Sequence, residues 1–322
     1  MTGLVLLFPG QGSQFAGMAT ELYGRDELFT AAADAFFQAY GPDAPALREA
    51  WFGRGDAADI HRGPFAQPLL MMVGYACAVS LVEHVGVKPA VIGHSIGEWA
   101  AACLARVFTL ETGARLVAER ARLLSQSAPG GMLAVAASVE DVQDLVDSFP
   151  DSVAVGAVNA PQQVVLSAPE PLLTSVLAQA RARGWSCMRV KAHEPFHSPV
   201  LGAMADQLTD MLPATALAGP RLPLISSWSA DQLSTAQART PAFWTRQVAG
   251  CIRFWEALTR LDRPNTLFVE SGPGSGLSAI AKQLSSVRGG TSRVITPVPS
   301  GRAAGWSSWS KARDCMLQAL EH

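Results

Sequence analysis

With 322 residues, 49% of them apolar, the chain has material for one large domain carrying a smaller one and is too apolar to be intrinsically disordered. Only 16% of the residues are charged and the net charge is -2, so there is no electrostatic footprint for nucleic acid or an anionic membrane, and neither is expected as a partner. The five cysteines (Cys77, Cys103, Cys187, Cys251, Cys315) are scattered and form no CxxC or Cys/His cluster, which argues against a zinc or dithiol site and for buried, reduced thiols.

The N-terminal run from Met1 through Phe8 to Pro9 lacks the basic start and the length of a secretory leader, and residues 4–8 predict a short buried strand. An amphipathic stretch from Met18 to Tyr40 follows. Pro68 to His84 predicts a helix with Pro68 near its first turn. Its apolar centre, Leu69 to Val82, is too short to span a bilayer and reads as a buried helix, so a soluble, cytoplasmic protein is expected. Val87 to Ile92 is a strand, and Gly93-His94-Ser95-Ile96-Gly97 carries it into a helix through Leu104. Thr109 to Ser125 is helical, with Thr109 as its N-cap. Strands alternating with helices predict a parallel α/β sheet.

From Met132 the order changes. Met132–Ala137 is a strand, and Val139–Phe149 a helix opened by Ser138. Two strands, Val153–Val158 and Gln163–Leu166, are joined by Asn159-Ala160-Pro161-Gln162; then come a helix over Pro171–Arg183 and a last strand, Ser186–Val190. This βαββαβ order is the ferredoxin-like unit. It predicts a small subdomain over 129–192 inserted in a large domain made of 1–128 and 193–322. Later strands are expected at Leu224–Ser226 and Leu267–Glu270, with a helix through Phe254–Leu261 between them.

The strongest chemical signal is the G-x-S-x-G at Gly93–Gly97. Small residues around a serine at a strand-to-helix turn allow a strained elbow that exposes the hydroxyl, and the next N–H can meet a developing oxyanion. Ser95 is thus the candidate nucleophile. Its base must come from six histidines. His61, His84 and His322 have bland surroundings, and His94 is expected to point away from its neighbour Ser95 and pack. His193 and His197 lie in Lys191-Ala192-His193-Glu194-Pro195-Phe196-His197-Ser198. His197, between an aromatic and Ser-Pro, is favoured, although spacing alone leaves both open.

Pro9-Gly10-Gln11-Gly12-Ser13-Gln14, Ala66-Gln67-Pro68, Gly93-His94-Ser95-Ile96-Gly97-Glu98, Arg120, Asn159-Ala160-Pro161, Pro195-Phe196-His197-Ser198 and Glu270-Ser271-Gly272-Pro273-Gly274 occur in that order. In this combination the chain resembles the malonyl-CoA:acyl-carrier-protein transacylases and the acyltransferase domains of polyketide synthases, over nearly its whole length. The resemblance implies an α/β-hydrolase-like large domain with a ferredoxin-like subdomain. It implies a Ser95–His197 dyad, with the backbone N–H groups of Gln11 and Ile96 as oxyanion hole. A backbone carbonyl, matched here to Arg253, would orient the histidine. Arg120 would pair with the free carboxylate of a malonyl group, its planar fork suiting a carboxylate. Gln67, Asn159 and Phe196 would line the substrate pocket, and Phe196 with Ile96 would favour malonyl over branched groups.

The activity so implied is ping-pong transfer of malonyl from CoA to the phosphopantetheine thiol of an acyl carrier protein, with no metal or redox cofactor. Read as a free-standing chain, it is expected to be a monomer acting in trans in polyketide or fatty-acid synthesis. Transfer of an unusual group such as an aminoacyl chain, or editing hydrolysis of stalled acyl groups, are the alternatives; both would leave Arg120 idle. Arg181 and Arg183 are candidate contacts for an acidic carrier.

Overall fold

Six strands build the large sheet in the computed structural model, which describes residues 3–54, 59–300 and 305–320. The apolar run at the N-terminus becomes β1 (Gly3–Phe8), buried from Leu4 onward. It lies between β2 (Ala90–Gly93) and β9 (Thr266–Glu270), parallel to both. With β7 (Leu224–Ser226), β8 (Asp231–Gln232) and β10 (Arg293–Ile295), the order is β10-β9-β1-β2-β7-β8, and only β8 runs antiparallel. Register pairs Phe8 with Gly93 and Leu7 with Glu270. The loops after β1, β2 and β9 therefore leave the same edge of the sheet, where parallel α/β sheets place their ligands.

Four further strands, β3 (Gly130–Val135), β4 (Ala154–Ala160), β5 (Gln163–Pro169) and β6 (Cys187–Arg189), form an antiparallel sheet ordered β4-β5-β3-β6. Helices Val139–Asp147 and Leu172–Ala182 complete the expected βαββαβ unit. Period-two alternation divides its faces. Leu133, Val135, Val164 and Leu166 point to the two helices and make a separate core with Val142, Leu145, Leu173 and Val176. Met132, Ala134 and Val165 point the other way, into the cleft against the large domain.

Several boundaries differ from the sequence reading for local reasons. The Met18–Tyr40 stretch splits into a 3₁₀ turn, Thr20–Leu22, and a helix, Glu27–Tyr40. Gly24 at φ +80° breaks the run, and Asp26 restarts it by accepting the Phe29 N–H. The helix expected from Pro68 begins at Gly63, with Pro64 in its first turn and Pro68 inside it. At 23 residues it is, by length and composition, long and apolar enough to cross a membrane, but most of it is buried in the protein. β2 starts at Ala90, after Pro89, which has no N–H to give a ladder. Asn159 and Ala160 belong to β4, so the hairpin turn is only Pro161-Gln162.

The structure adds helices Ala44–Trp51, Gly202–Met211 and Trp306–Leu320, and strand β10, to the elements expected from the sequence. Of the cysteines, Cys77 and Cys103 are buried, Cys187 and Cys251 are half-buried, and Cys315 is exposed. Met1, Thr2 and His322 lie outside the described residues.

Candidate active site

Strand β2 ends at Gly93, and helix Ile96–Leu104 begins two residues after the turn opens. Between them Ser95 has φ 54° and ψ -122°, a conformation rare for a side chain other than glycine. Two glycines make the elbow possible. A Cβ at Gly93 would collide with Glu98 N, and one at Gly97 with Phe8 O. His197 also has positive φ, +62°. Strain at both residues is held by the packing around them, and it brings Ser95 Oγ to 2.7 Å from His197 Nε2.

His197 is buried, and its Nδ1–H is shared between Gln247 O and Gly250 O, each at 3.0 Å. This pair of acceptors puts the proton on Nδ1 and leaves Nε2 free to accept from the serine. Burial first, then His94 and Arg120, push the imidazole pKa down to about 3, against the pull of the two carbonyls. The imidazole is neutral at pH 7. The orienting carbonyl is not that of Arg253, which corrects the expectation from resemblance. Arg253 caps helix Phe254–Thr259, its carbonyl is taken by the Ala257 N–H, and its side chain pairs with Glu256. The 3₁₀ turn Arg246–Ala249 and the glycine after it supply the acceptors earlier in the chain.

A cavity of about 180 Å³ opens beside the dyad, bounded by Gln11, His94, Ser95, Asn159, Phe196 and His197. Among the described residues neither the Gln11 nor the Ile96 N–H donates to a backbone acceptor. Ile96 opens its helix, so its N–H is one of the first-turn donors that no intrahelical carbonyl can meet. Gln67 is buried and does not line the cavity; its amide donates to Gln11 Oε1 at 3.2 Å. Gln11 in turn donates to His61 O, and Gln14 binds Gly12 N and Lys191 O. His61, read as bland, is therefore part of the scaffold under the Gln11 loop.

Arg120, on helix Leu110–Leu124, is only 1% exposed, and none of its three guanidinium nitrogens has a partner among the described residues. Its guanidinium lies 5.1 Å from the ring centroid of Trp99, one turn beyond Ser95. Desolvation lowers its pKa to about 9, which leaves it charged at neutral pH. Glu119, its neighbour in the chain, pairs with Arg122 on the exposed side.

The chain matches the acyl transferase domain family over residues 5–300. It belongs to that family. Among polyketide synthases, it is 37% identical over 280 residues to a phenolphthiocerol/phthiocerol polyketide synthase of Mycobacterium tuberculosis, covering 86% of this chain and 18% of that protein. It is 34% identical over 310 residues to the spectinabilin polyketide synthase system protein NorB of Streptomyces orinoci, covering 93% and 14%. The chain thus spans under a fifth of the length of these relatives. The acyltransferase domain from the second module of the salinomycin polyketide synthase superposes with a TM-score of 0.87 at 31% identity, covering 99% of this chain and 73% of that one. A malonyl CoA-acyl carrier protein transacylase from Clostridium perfringens shares the fold, with a TM-score of 0.83 at 23% identity over 99% and 98% of the two chains.

Two site features of this acyl transferase family member are not legible in the sequence. His94 lines the cavity instead of packing away: its Nε2–H donates to Asn159 Oδ1 at 2.9 Å, joining the large domain to the small sheet beside Ser95. Gly276, Leu277 and Ile280, just beyond the Gly272-Pro273-Gly274 loop, form another wall. Phe196 lines the cavity as expected and is 1% exposed. Its ring tip abuts Gly63, where a Cβ would lie 2.9 Å from Cζ. Arg181 and Arg183 are exposed at the end of helix Leu172–Ala182, which covers the sheet face turned away from the cavity. That placement removes them as contacts at the cleft.

Proposed function

We propose that this acyltransferase moves a malonyl group from CoA to the phosphopantetheine thiol of an acyl carrier protein through an ester on Ser95. One observation carries the reading: Arg120 is a fully buried guanidinium with no partner among the described residues. An uncompensated buried charge costs several kcal/mol. A ligand bearing a carboxylate supplies the missing partner, and the guanidinium fork can take it bidentately. Neutral acyl groups cannot, nor can an aminoacyl chain, whose ammonium would face a like charge. An editing hydrolase acting on neutral chains would also leave Arg120 unpaired.

In the first half-reaction Ser95 Oγ attacks the thioester carbonyl while its proton passes to His197 Nε2. The oxyanion is received by the Gln11 and Ile96 N–H groups. Collapse expels the CoA sulfur, which takes the proton back from His197. The second half runs in reverse with the carrier thiol: its proton goes to His197, its sulfur attacks the ester, and Ser95 leaves with the proton. No oxidation state changes, so the route calls on no redox group. Arg120 is one of the groups that depress the His197 pKa; a carboxylate bound to it cancels that effect, so a malonyl substrate makes its own base stronger.

Intact-mass measurement after incubation with a panel of acyl-CoAs tests the reading. Malonyl should accumulate on Ser95. Equal loading of acetyl or an aminoacyl group would overturn it in favour of the unusual-acyl alternative.

A further inference from the structure

The 247–253 segment, which carries both acceptors for His197 Nδ1–H, is tied at its Arg253 end to one buried residue, Glu98, through Ser227. Glu98 lies one turn after Ser95 on the same helix and is fully buried. Its Oε2 accepts from Ser227 N and Ser227 Oγ, both at 2.9 Å. Ser227 O in turn accepts the Arg253 N–H. At the other end stands Gln247, whose carbonyl receives the histidine proton and whose side chain is 1% exposed. Among the described residues its Nε2 lacks a partner in hydrogen-bond geometry, and so does Glu98 Oε1. The two side chains are nonetheless near enough for Gln247 to bias Glu98 towards its charged form.

We propose that Glu98 is a positioning residue for the base, holding the Gln247 and Gly250 carbonyls on His197 and supplying, at one residue's remove, the negative charge that a Ser-His pair otherwise lacks. When His197 takes the Ser95 proton it becomes an imidazolium, a cation that a buried carboxylate without an ionic partner favours. In a Ser-His-Asp triad the carboxylate touches the imidazole directly; here Glu98 is tied, through Ser227 and the Arg253 N–H, to the segment whose carbonyls do. This inference rests on the Ser95–His197 assignment.

Burial pushes the Glu98 pKa up to about 7, against the hydrogen bonds of Ser226, Ser227 and Gln247. No charged side chain on the elements around it (β1, β2, β7, and helices Gly63–Val85 and Leu110–Leu124) contributes to that titration. The site's histidines, His94 and His197, are both pushed below the usual histidine range, and Arg120 stays charged. Ionisation of Glu98 is then the step that should mark acylation near neutrality.

The test is single-turnover acylation of the full chain by malonyl-CoA from pH 5.5 to 8, the range over which Arg120 stays charged, followed by intact mass. Wild type should show a rise with an inflection near neutral pH. Glu98→Gln keeps the shape and removes the charge; it should lose that inflection and acylate roughly tenfold more slowly at high pH, the scale of one hydrogen bond to a charged group. KM for malonyl-CoA should not change, and Glu98→Asp should keep the inflection. A wild-type profile for Glu98→Gln would overturn the proposal. If Glu98→Gln does not fold by circular dichroism, Gln247→Leu, which keeps the backbone carbonyl, decides: slowed acylation with unchanged KM and a displaced inflection supports the proposal, and a wild-type rate and profile refutes it. Ser95→Ala separates the two levels, because an adduct on that variant would sink the dyad itself.

Discussion

Replacing Arg120 by methionine should move stability and activity in opposite directions. In the unliganded protein Arg120 is a charge taken out of water, and among the described residues only the face of Trp99, 5.1 Å away, offsets it. A desolvated cation–π contact returns about 2 kcal/mol, whereas burying an ion costs several. Methionine fills much of the same volume without the charge, so Arg120→Met should unfold at an equal or higher temperature, as read by calorimetry without ligand. Malonate should raise the melting temperature of wild type and not that of the variant. Malonyl transfer should collapse, because losing one partner of a buried charge pair costs about 2–5 kcal/mol, or roughly 30- to 5,000-fold in kcat/KM. Acetyl transfer, with no carboxylate to lose, should stay level or improve. The assay is acyl transfer to a carrier protein from each acyl-CoA in turn. A variant that lost malonyl and acetyl transfer alike, or that melted well below wild type, would refute the reasoning, since Arg120 would then be serving the fold.

Ser95→Ala should abolish the acyl-enzyme, and His197→Ala should slow both half-reactions by roughly 10²–10⁴-fold, the scale of general-base catalysis, in stopped-flow measurements of each half. His197→Gln should also change acid stability. The folded pKa, about 3, lies below the ordinary histidine value of 6.5, so the unfolded chain takes up the proton first; this contribution is complete above about pH 6.5 and is lost at up to about 1.4 kcal/mol per pH unit as pH falls towards 3. Urea midpoints at pH 7 and pH 5 should differ less in His197→Gln than in wild type. Gly97→Ala should fail to give a native elbow, because the added methyl meets Phe8 O; soluble, cooperatively melting protein with wild-type acylation would contradict this. Phe196→Ser should relax selection against methylmalonyl by about 1–3 kcal/mol in competition assays, the value of one methylene in an apolar pocket.

The two-sheet plan and the candidate nucleophile could be read from residue order, because those signals are local; spacing left His193 and His197 both open as its partner, and the packed chain brings His197 to Ser95. Alternation along β3 and β5 separates the cavity-facing residues from the helix-facing ones, Ser138 and Thr109 announce their helices as caps, and G-x-S-x-G at a strand end constrains its own backbone. Which carbonyl meets His197 depends instead on how the chain packs. Gln247, Gly250 and Arg253 all lie in one short segment; the carbonyls of Gln247, which also accepts the Gly250 N–H at the end of its 3₁₀ turn, and of Gly250 meet the imidazole, while Arg253's accepts the Ala257 N–H where the chain turns into Phe254–Thr259. The roles of His94 and His61 were hidden for a similar reason, since their partners Asn159 and Gln11 are brought in from 65 and 50 residues away. Arg120 marks the boundary most clearly. Its place on a helix is legible in the sequence, but its lack of a partner is a property of everything packed around it: Glu119 turns outward to Arg122, and no other acid among the described residues reaches the guanidinium.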